Sequence, residues 1–350
     1  MGKIISKNKK IAVGLSGGVD SATAAFLLKE KGFDVTGVYF KCWEEDGVCD
    51  ICGRQSAEEV AKRLGIEFID LDFSGRFKEE IIGYFVSEYS RGKTPNPDIL
   101  CNEKVKFGAF YDWAMENGFD FVATGHYVRV KNNMLLRGKD KSKDQSYFLY
   151  RIPNEKLSKI LLPLGDFTKK KVRLIAKNND IPAVNRPESV DICFVGKATL
   201  KSYLSKKIKP EKGNVVNEEG NIVGEHDGVW FFTIGQRKGF RVSKYFGKPM
   251  YVIGKNVERN ELIIGEESKA YKKEFDVVDL RWTSYDPGDN FRCRVRIRNL
   301  GKLYPAKFSR GKVKSRRKIF GVAPGQSVVF YKHSFFNPSG DMVIGGGIIQ

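Results

Sequence analysis

An apolar run, Ile11-Ala12-Val13-Gly14-Leu15, opens directly into the octet Gly14-Leu15-Ser16-Gly17-Gly18-Val19-Asp20-Ser21. No other stretch of the chain limits its fold as tightly. A short apolar run that ends in glycine reads as a strand buried on both faces, and such strands belong to parallel sheets. The residues that follow, Ala22 to Glu30, read as a helix that Asp20 and Ser21 cap and Gly32 ends. Strand, glycine turn and helix together aim backbone N–H groups and partial positive charge at one point, which suits a phosphate. Ser16 and Ser21 add hydroxyls, and Asp20 offers a carboxylate for Mg2+. The octet lacks the lysine of G-x-x-x-x-G-K-[ST] and does not fit G-x-G-x-x-G, so neither of those loops is expected.

The same alternation continues. Val35 to Phe40 reads as a strand, Ser56 to Leu64 as a helix, and Ile66 to Leu71 as a strand. Helical periodicity covers Arg76–Tyr89 and Lys104–Asn117, and Phe119 to Thr124 returns to strand. Strands separated by helices predict an α/β fold, a doubly wound parallel sheet with ligands beyond the carboxyl ends of its strands. The pattern changes after the basic, Pro-containing linker Lys206 to Lys212. Short strand runs punctuated by glycine then extend to the end, through Gln326-Ser327-Val328-Val329-Phe330-Tyr331 and Ile344-Gly345-Gly346-Gly347-Ile348-Ile349. The division is therefore 1–205, an α/β domain; 206–273, a central β domain; and 274–350, a β-barrel. No run reaches the roughly 20 apolar residues that span a bilayer. The basic start, Met1 to Lys10, has no apolar export region, so a cytoplasmic protein without a membrane partner is expected.

Lys and Arg number 61 against 42 acids, a formal charge of +19, which points to a polyanionic partner. Between Phe291 and Gly340 there is no acid at all. Arg292, Arg294, Arg296 and Arg298 alternate with Cys293, Val295 and Ile297, which predicts four guanidiniums on one strand face; Lys312, Lys314, Arg316, Arg317 and Lys318 extend the run. Six cysteines in a chain of this length do not form a disulfide scaffold. Cys42, Cys49 and Cys52 leave open a zinc or iron–sulfur site beside packing thiols, although one local ligand is missing and His126, His226 and His333 are scattered. Thr94-Pro95-Asn96-Pro97-Asp98-Ile99-Leu100-Cys101-Asn102 is stiffened by two prolines. It presents a carboxylate and a thiol three residues apart, on one side if Asp98 begins a helix. On these residues alone, a capping Asp98 and a buried, inert Cys101 fit as well as chemistry does.

Further segments decide between those readings. Ser189-Val190-Asp191-Ile192-Cys193-Phe194-Val195-Gly196 supplies a second cysteine, Gly125-His126-Tyr127 follows the last sheet strand, and Lys143-Asp144-Gln145-Ser146-Tyr147 adds a polar turn. Thr233-Ile234-Gly235-Gln236-Arg237-Lys238-Gly239 lies in the β region. The octet resembles the pyrophosphate loop of the ATP pyrophosphatase superfamily. The whole set, nearly end to end, resembles the tRNA-specific 2-thiouridylase family, with Pro-Asn-Pro-Asp-x-x-Cys and Asp-Ile-Cys-Phe its most specific segments.

That resemblance implies an adenine-nucleotide alpha hydrolase-like catalytic domain and a tRNA-uridine sulfurtransferase that makes 2-thiouridine, AMP and pyrophosphate. It places Gly14, Leu15, Ser16, Gly17, Gly18, Val19, Asp20, Ser21, Phe40 and Gly125 at ATP, with Mg2+. Asn96, Pro97 and Asp98 fall at the target base. Cys193 carries the persulfide, Cys101 is its partner thiol, and Asp98 is an acid/base. Lys143, Asp144, Gln145, Arg296 and Ile297 fall against tRNA, although Ile297 stands where the family more usually has tyrosine. A persulfide donor, a cysteine desulfurase or a relay protein, is implied as partner. Sulfur release through a Cys101–Cys193 disulfide requires Cα atoms roughly 4.4–6.8 Å apart at that step. An iron–sulfur cluster on Asp98, Cys101 and Cys193 stays open, as do an amide-forming ligase of the same superfamily and a non-catalytic RNA binder.

Overall fold

The computed structural model describes residues 8–42, 51–185, 199–243, 246–333 and 341–350; of 51, 52, 185 and 333 it describes the backbone alone. In chain order the first strands are β1 (Lys10–Gly14), β2 (Asp34–Lys41), β3 (Glu67–Asp72), β4 (Phe121–Ala123), β5 (Val128–Lys131), β6 (Met134–Arg137) and β7 (Ile160–Leu161). All but β5 and β6 pair in parallel, in the order β3-β2-β1-β4-β7. Ile11, Ala12 and Val13 of β1 are wholly buried. The helices Val19–Glu30 and Ile51–Leu64 cover one face through Ala22, Ala25, Leu28, Ala57 and Val60, and Phe107 and Phe110 fill the other. Burial on both faces is what an unbroken apolar strand requires. The strand order reverses between β1 and β4, so a crevice opens at their carboxyl ends.

The second sheet comprises β8 (Gly213–Val216), β9 (Ile222–His226), β10 (Arg241–Val242), β11 (Met250–Asn256) and β12 (Glu261–Glu266), ordered β10-β9-β8-β12-β11. The third holds β13 (Tyr271–Trp282), β14 (Asn290–Arg296), β15 (Tyr304–Ser309), β16 (Lys312–Phe320), β17 (Ser327–His333) and β18 (Asp341–Ile349). β13 pairs with β16 on one side and β18 on the other, which closes six antiparallel strands into a barrel. The α/β sheet and the closing barrel are as the sequence predicts. The hairpin β5–β6 is not. It turns through Asn132 and Asn133, both at positive φ, and its β6 joins β18. Two asparagines between alternating apolar residues are a hairpin signal that the reading above does not use. Among the described residues no helix is long and apolar enough to cross a membrane.

Candidate active site

The crevice between β1 and β4 gathers the nucleotide-loop residues. The first helix starts at Val19, with Gly18 as an extended N-cap and no side-chain cap; Asp20 and Ser21 lie inside it rather than ahead of it. Its first amides therefore keep the anion-binding character of an open helix start. The Ser21 hydroxyl accepts from the Ser16 amide at 3.1 Å and donates to the Gly18 carbonyl at 3.1 Å, which ties the loop to itself. Ser56 donates to the Gly17 carbonyl at 2.8 Å and anchors the loop to the second helix. Phe40, at the end of β2, brings its ring to 3.1 Å from where a Cβ on Gly14 would stand. Gly125, just past β4, sits against the helix start: a Cβ there would lie 2.7 Å from the Asp20 carbonyl carbon and from the Ser21 amide nitrogen. The octet, Phe40 and Gly125 thus meet at one point.

Asp20 is engaged differently from the Mg2+ ligand expected. Lys169 places its ammonium 2.8 Å from both carboxylate oxygens, and the Tyr127 hydroxyl donates to one of them at 2.7 Å. A carboxylate so held does not fit a cation site. Lys169 opens the helix Lys169–Asn178 behind its cap, Thr168, and nothing in its basic surroundings singles it out in the sequence. Gln145, predicted to touch tRNA, accepts from the Tyr127 amide at 2.9 Å and so fixes the strand end that holds Asp20.

The next residue after Gly125 packs against the helix that carries the thiol. His126 is buried, its Nδ1 lies 2.8 Å from the Thr124 hydroxyl, and its ring centroid is 5.9 Å from that of Phe107. Burial, then the nearby Lys106 charge, pushes it well below the usual histidine range, so it is neutral. Phe107 belongs to a helical stretch from 97 to 116 that also carries Asp98 and Cys101. Asn96, not Asp98, caps it: its side-chain oxygen accepts from the amides of Asp98 at 3.1 Å and Ile99 at 3.3 Å, and Pro97 takes the first turn, where its missing N–H costs nothing. Asp98 is thereby released from capping. Burial raises its carboxyl above the ordinary range, with Lys106 opposing. Cys101 is 6% exposed among Phe77, Ile81, Phe85, Tyr89 and Val105. Burial raises its thiol, Lys106 draws it down, and the Asp98 charge raises it further.

All three units meet at the stiff segment before this helix. The Thr94 amide donates to the Pro324 carbonyl of the barrel at 2.8 Å, and the Thr94 hydroxyl lies 3.2 Å from that of Thr233 in the central unit. A small cavity beside it is lined by Asn96, Ile99, Leu100, Arg151, Asp279 and Ser327.

Cys193 lies outside the described residues. The helix that follows its segment, Leu200–Ser205, places Tyr203 and Leu204 in the Cys101 cluster. Cys49 and the Cys52 side chain are likewise outside the described residues, while Cys42 packs at the edge of the Cys101 cluster. Among the described residues no three His, Cys, Asp or Glu side chains are placed to hold a metal. Cys293 is barrel core, its thiol pushed to about 12 by burial.

Two of the residues expected to touch tRNA, Asp144 and Arg296, meet at the joint between the first unit and the barrel. Asp144 is wholly buried, Arg296 is 2% exposed, and the two form an ion pair at 3.0 Å. Arg137 bridges Asp144 at 2.7 Å and Asp341 at 3.0 Å, and Arg294 also pairs with Asp341. Ile297 is buried in the barrel core. Asp144, in the turn after β6, and Arg137 of β6 tie Arg296 and, through Asp341, Arg294 to the first unit, so these two join the units instead of forming the open four-guanidinium face predicted. Lys143 is half-buried at the rim of the same turn. The exposed basic surface is one strand further round, where Arg292 faces Lys307 and Lys307 faces Lys314, with Arg316, Arg317 and Lys318 exposed beyond.

Such a molecule is a nucleotide-binding α/β enzyme domain with a buried thiol on one of its helices, joined to two β units. Three family models match successive stretches of the chain: residues 9–197 match the tRNA methyl transferase HUP domain, 201–266 the tRNA methyl transferase PRC-barrel domain, and 272–349 the aminomethyltransferase beta-barrel domain. The tRNA-specific 2-thiouridylase MnmA of Clostridioides difficile is 40% identical over 98% of this chain and 98% of its own length. The protein of the same name from Francisella philomiragia is 38% identical over 98% and 99%. The chain belongs to the tRNA-specific 2-thiouridylase family. A solved structure, the U34-tRNA thiolase NcsA from Methanococcus maripaludis with its [4Fe-4S] cluster, is similar at a TM-score of 0.39 and 20% identity over 58% of this chain and 65% of that one, too remote to argue from.

Proposed function

We propose that this chain is a tRNA 2-thiouridylase that adenylates the 2-carbonyl oxygen of a wobble uridine with ATP and replaces that oxygen by sulfur. The observation that carries the reading is one of adjacency: Gly125 rests on the phosphate-loop helix while His126 rests against the helix of Asp98 and Cys101. In this reading Gly14 to Ser21, Phe40 and Gly125 hold ATP, and Mg2+ enters only with the ATP phosphates. Asn96, Pro97 and Asp98 meet the base. The terminal sulfur of a Cys193 persulfide, delivered by a donor protein, attacks C2; the C2–S bond forms and AMP leaves with the C2–O electron pair. The Cys101 thiolate then attacks the Cys193 sulfur. The new Cys101–Cys193 disulfide forms, the older S–S bond breaks, and its electron pair stays on the sulfur at C2 as a proton returns to the base. An external thiol reductant resets the disulfide. The division at 205/206 and 273/274, with tRNA docking on the last unit, belongs to the same reading: Arg292, Lys307 and Arg316 to Lys318 offer unburied positive charge, with Lys143 at the seam. A cytoplasmic location follows from the substrate.

The test is mass spectrometry of wobble nucleosides after incubation of tRNA with ATP, a persulfide donor and either wild type, Cys193→Ser or Cys101→Ser. Wild type should yield 2-thiouridine and both variants at most traces. Equal thiolation by Cys193→Ser removes that residue from the mechanism. Pyrophosphate release indifferent to tRNA would point to an amide-forming ligase, and none at all to a binding protein.

A further inference from the structure

The helix that bears the thiol is not regular. From Cys101 to Ala109 it winds in wide π turns, and the Phe110 amide that follows donates to the Val105 carbonyl five residues back. Gly108 marks the widening, because a Cβ there would stand 2.8 Å from the carbonyl oxygen of Glu103, also five residues back. In an α-helix residues five apart point about 140° away from each other. In a π turn they fall on the same side of the helix, and such turns concentrate at functional sites. The widening therefore brings Lys106 onto the side of Cys101, and Asp98, three residues earlier, lies on that side too. Lys106 is half-buried. Asp98, Cys101 and His126 all sense its charge, and the ring of the adjacent Phe107 packs against His126 just past β4.

We propose that Lys106 is a positioning residue for sulfur transfer, its ammonium balancing the single negative charge that Asp98 and Cys101 share, so that the thiol proton passes to the Asp98 carboxylate and leaves a thiolate. This rests on the reading of Cys101 as the releasing thiol. Before transfer the charges are carboxylate, neutral thiol and ammonium; afterwards they are neutral carboxyl, thiolate and ammonium. The sum is zero in both, and the proton moves within the trio. Without Lys106 one uncompensated negative charge remains among Phe77, Ile81, Phe85 and Val105, an environment that disfavours it. Among the described residues the other groups facing this cluster do not replace it. His126 is neutral, Tyr89 is held protonated by burial, Tyr203 and Cys42 carry no positive charge, and Glu103 is taken by Arg151 at 2.7 Å.

The test uses the full chain with tRNA, ATP and persulfide donor, in wild type, Lys106→Met, Lys106→Arg and Cys101→Ser. Peptide-resolved mass spectrometry follows iodoacetamide alkylation of Cys101 across pH, and 2-thiouridine formed per pyrophosphate released is measured in parallel. In Lys106→Met the alkylation midpoint should move up by at least about one pH unit, so that Cys101 reacts about tenfold more slowly near neutrality. The thiouridine yield should fall with it and recover at higher pH. Lys106→Arg should restore both. An unchanged midpoint in Lys106→Met, or a loss that Lys106→Arg does not reverse, overturns the role given to Lys106. Undiminished thiolation by Cys101→Ser overturns instead the reading on which it rests.

Discussion

Replacing Gly125 by alanine probes the contact that joins β4 to the phosphate loop. The added Cβ would stand 2.7 Å from both the Asp20 carbonyl carbon and the Ser21 amide nitrogen, about 0.7 Å inside the 3.4 Å at which ordinary contact begins. Both obstacles are backbone at a helix start, so no side chain can swing aside. Overpacking of this kind costs about 1–3 kcal/mol. The cheapest relief is to push the helix start away from β4, which withdraws the loop amides from the phosphates they are to bind. Misplacement approaching 1 Å in a binding constellation is felt strongly, and a loss of about 1.4 kcal/mol would already weaken ATP about tenfold. Calorimetric titration with a non-hydrolysable ATP analogue should show at least that loss in Gly125→Ala, with a lowered melting temperature. Gly75→Ala is the control, because a Cβ there meets nothing within 4 Å. If Gly125→Ala binds the analogue within twofold of wild type and melts with it, the helix start does not hold the nucleotide and the placement of ATP falls.

Two further outcomes follow from the charges. Asp144→Ala should destabilise the joint between hairpin and barrel by about 3–5 kcal/mol, because it leaves Arg296 buried without its carboxylate; a denaturant midpoint like that of wild type would refute this. Burial alone would raise the Asp144 carboxyl, but Arg137 and Arg296 hold it below its ordinary value, so its stabilisation is complete above about pH 4 and is lost as pH falls through the lowered value. Replacing Arg316, Arg317 and Lys318 together by serine should weaken tRNA and flatten the dependence of log affinity on log salt by about two to three. An unchanged slope in filter binding across salt would place the RNA elsewhere.

The octet was legible because a buried strand, glycines and a helix start impose one geometry whatever the rest of the chain does. The stretch from Thr94 to Cys101 was legible as a stiff segment leading into a helix but not in its cap. Its cap is Asn96, since Pro97 both biases the residue before it toward the extended backbone an N-cap needs and fills the first helical position itself. Lys169 could not be found by spacing, because its partner Asp20 lies 149 residues away and only the fold unites them. Arg294 and Arg296 misled for the opposite reason. Alternation sorts side chains to two faces of a strand, and here it does so faithfully, but it does not reveal that the turn after the first unit's hairpin supplies Asp144 to Arg296. Period-two reasoning assigns sides; it is silent on what lies against them.

That hairpin changes what the barrel is for. A tRNA-binding unit tethered only by its linker would bind RNA without constraining where the base arrives. Here the barrel is locked to the catalytic unit at two places. One is the buried ion-pair cluster of Asp144, Arg137, Arg296 and Asp341. The other is Arg151, 8% exposed, which pairs with Glu103 on the thiol helix at 2.7 Å and with Asp279 of β13 at 2.8 Å. Between them Thr94 bonds to Pro324 of the barrel and lies against Thr233 of the central unit. The segment proposed to receive the base is therefore pinned by all three units within a few residues of Asp98 and Cys101. Two prolines remove its freedom from within, and the neighbouring units remove it from without. Preorganisation of this kind, rather than affinity, is what a reaction between a nucleotide, a base and a thiol most needs, because each must stand within bonding reach of the next.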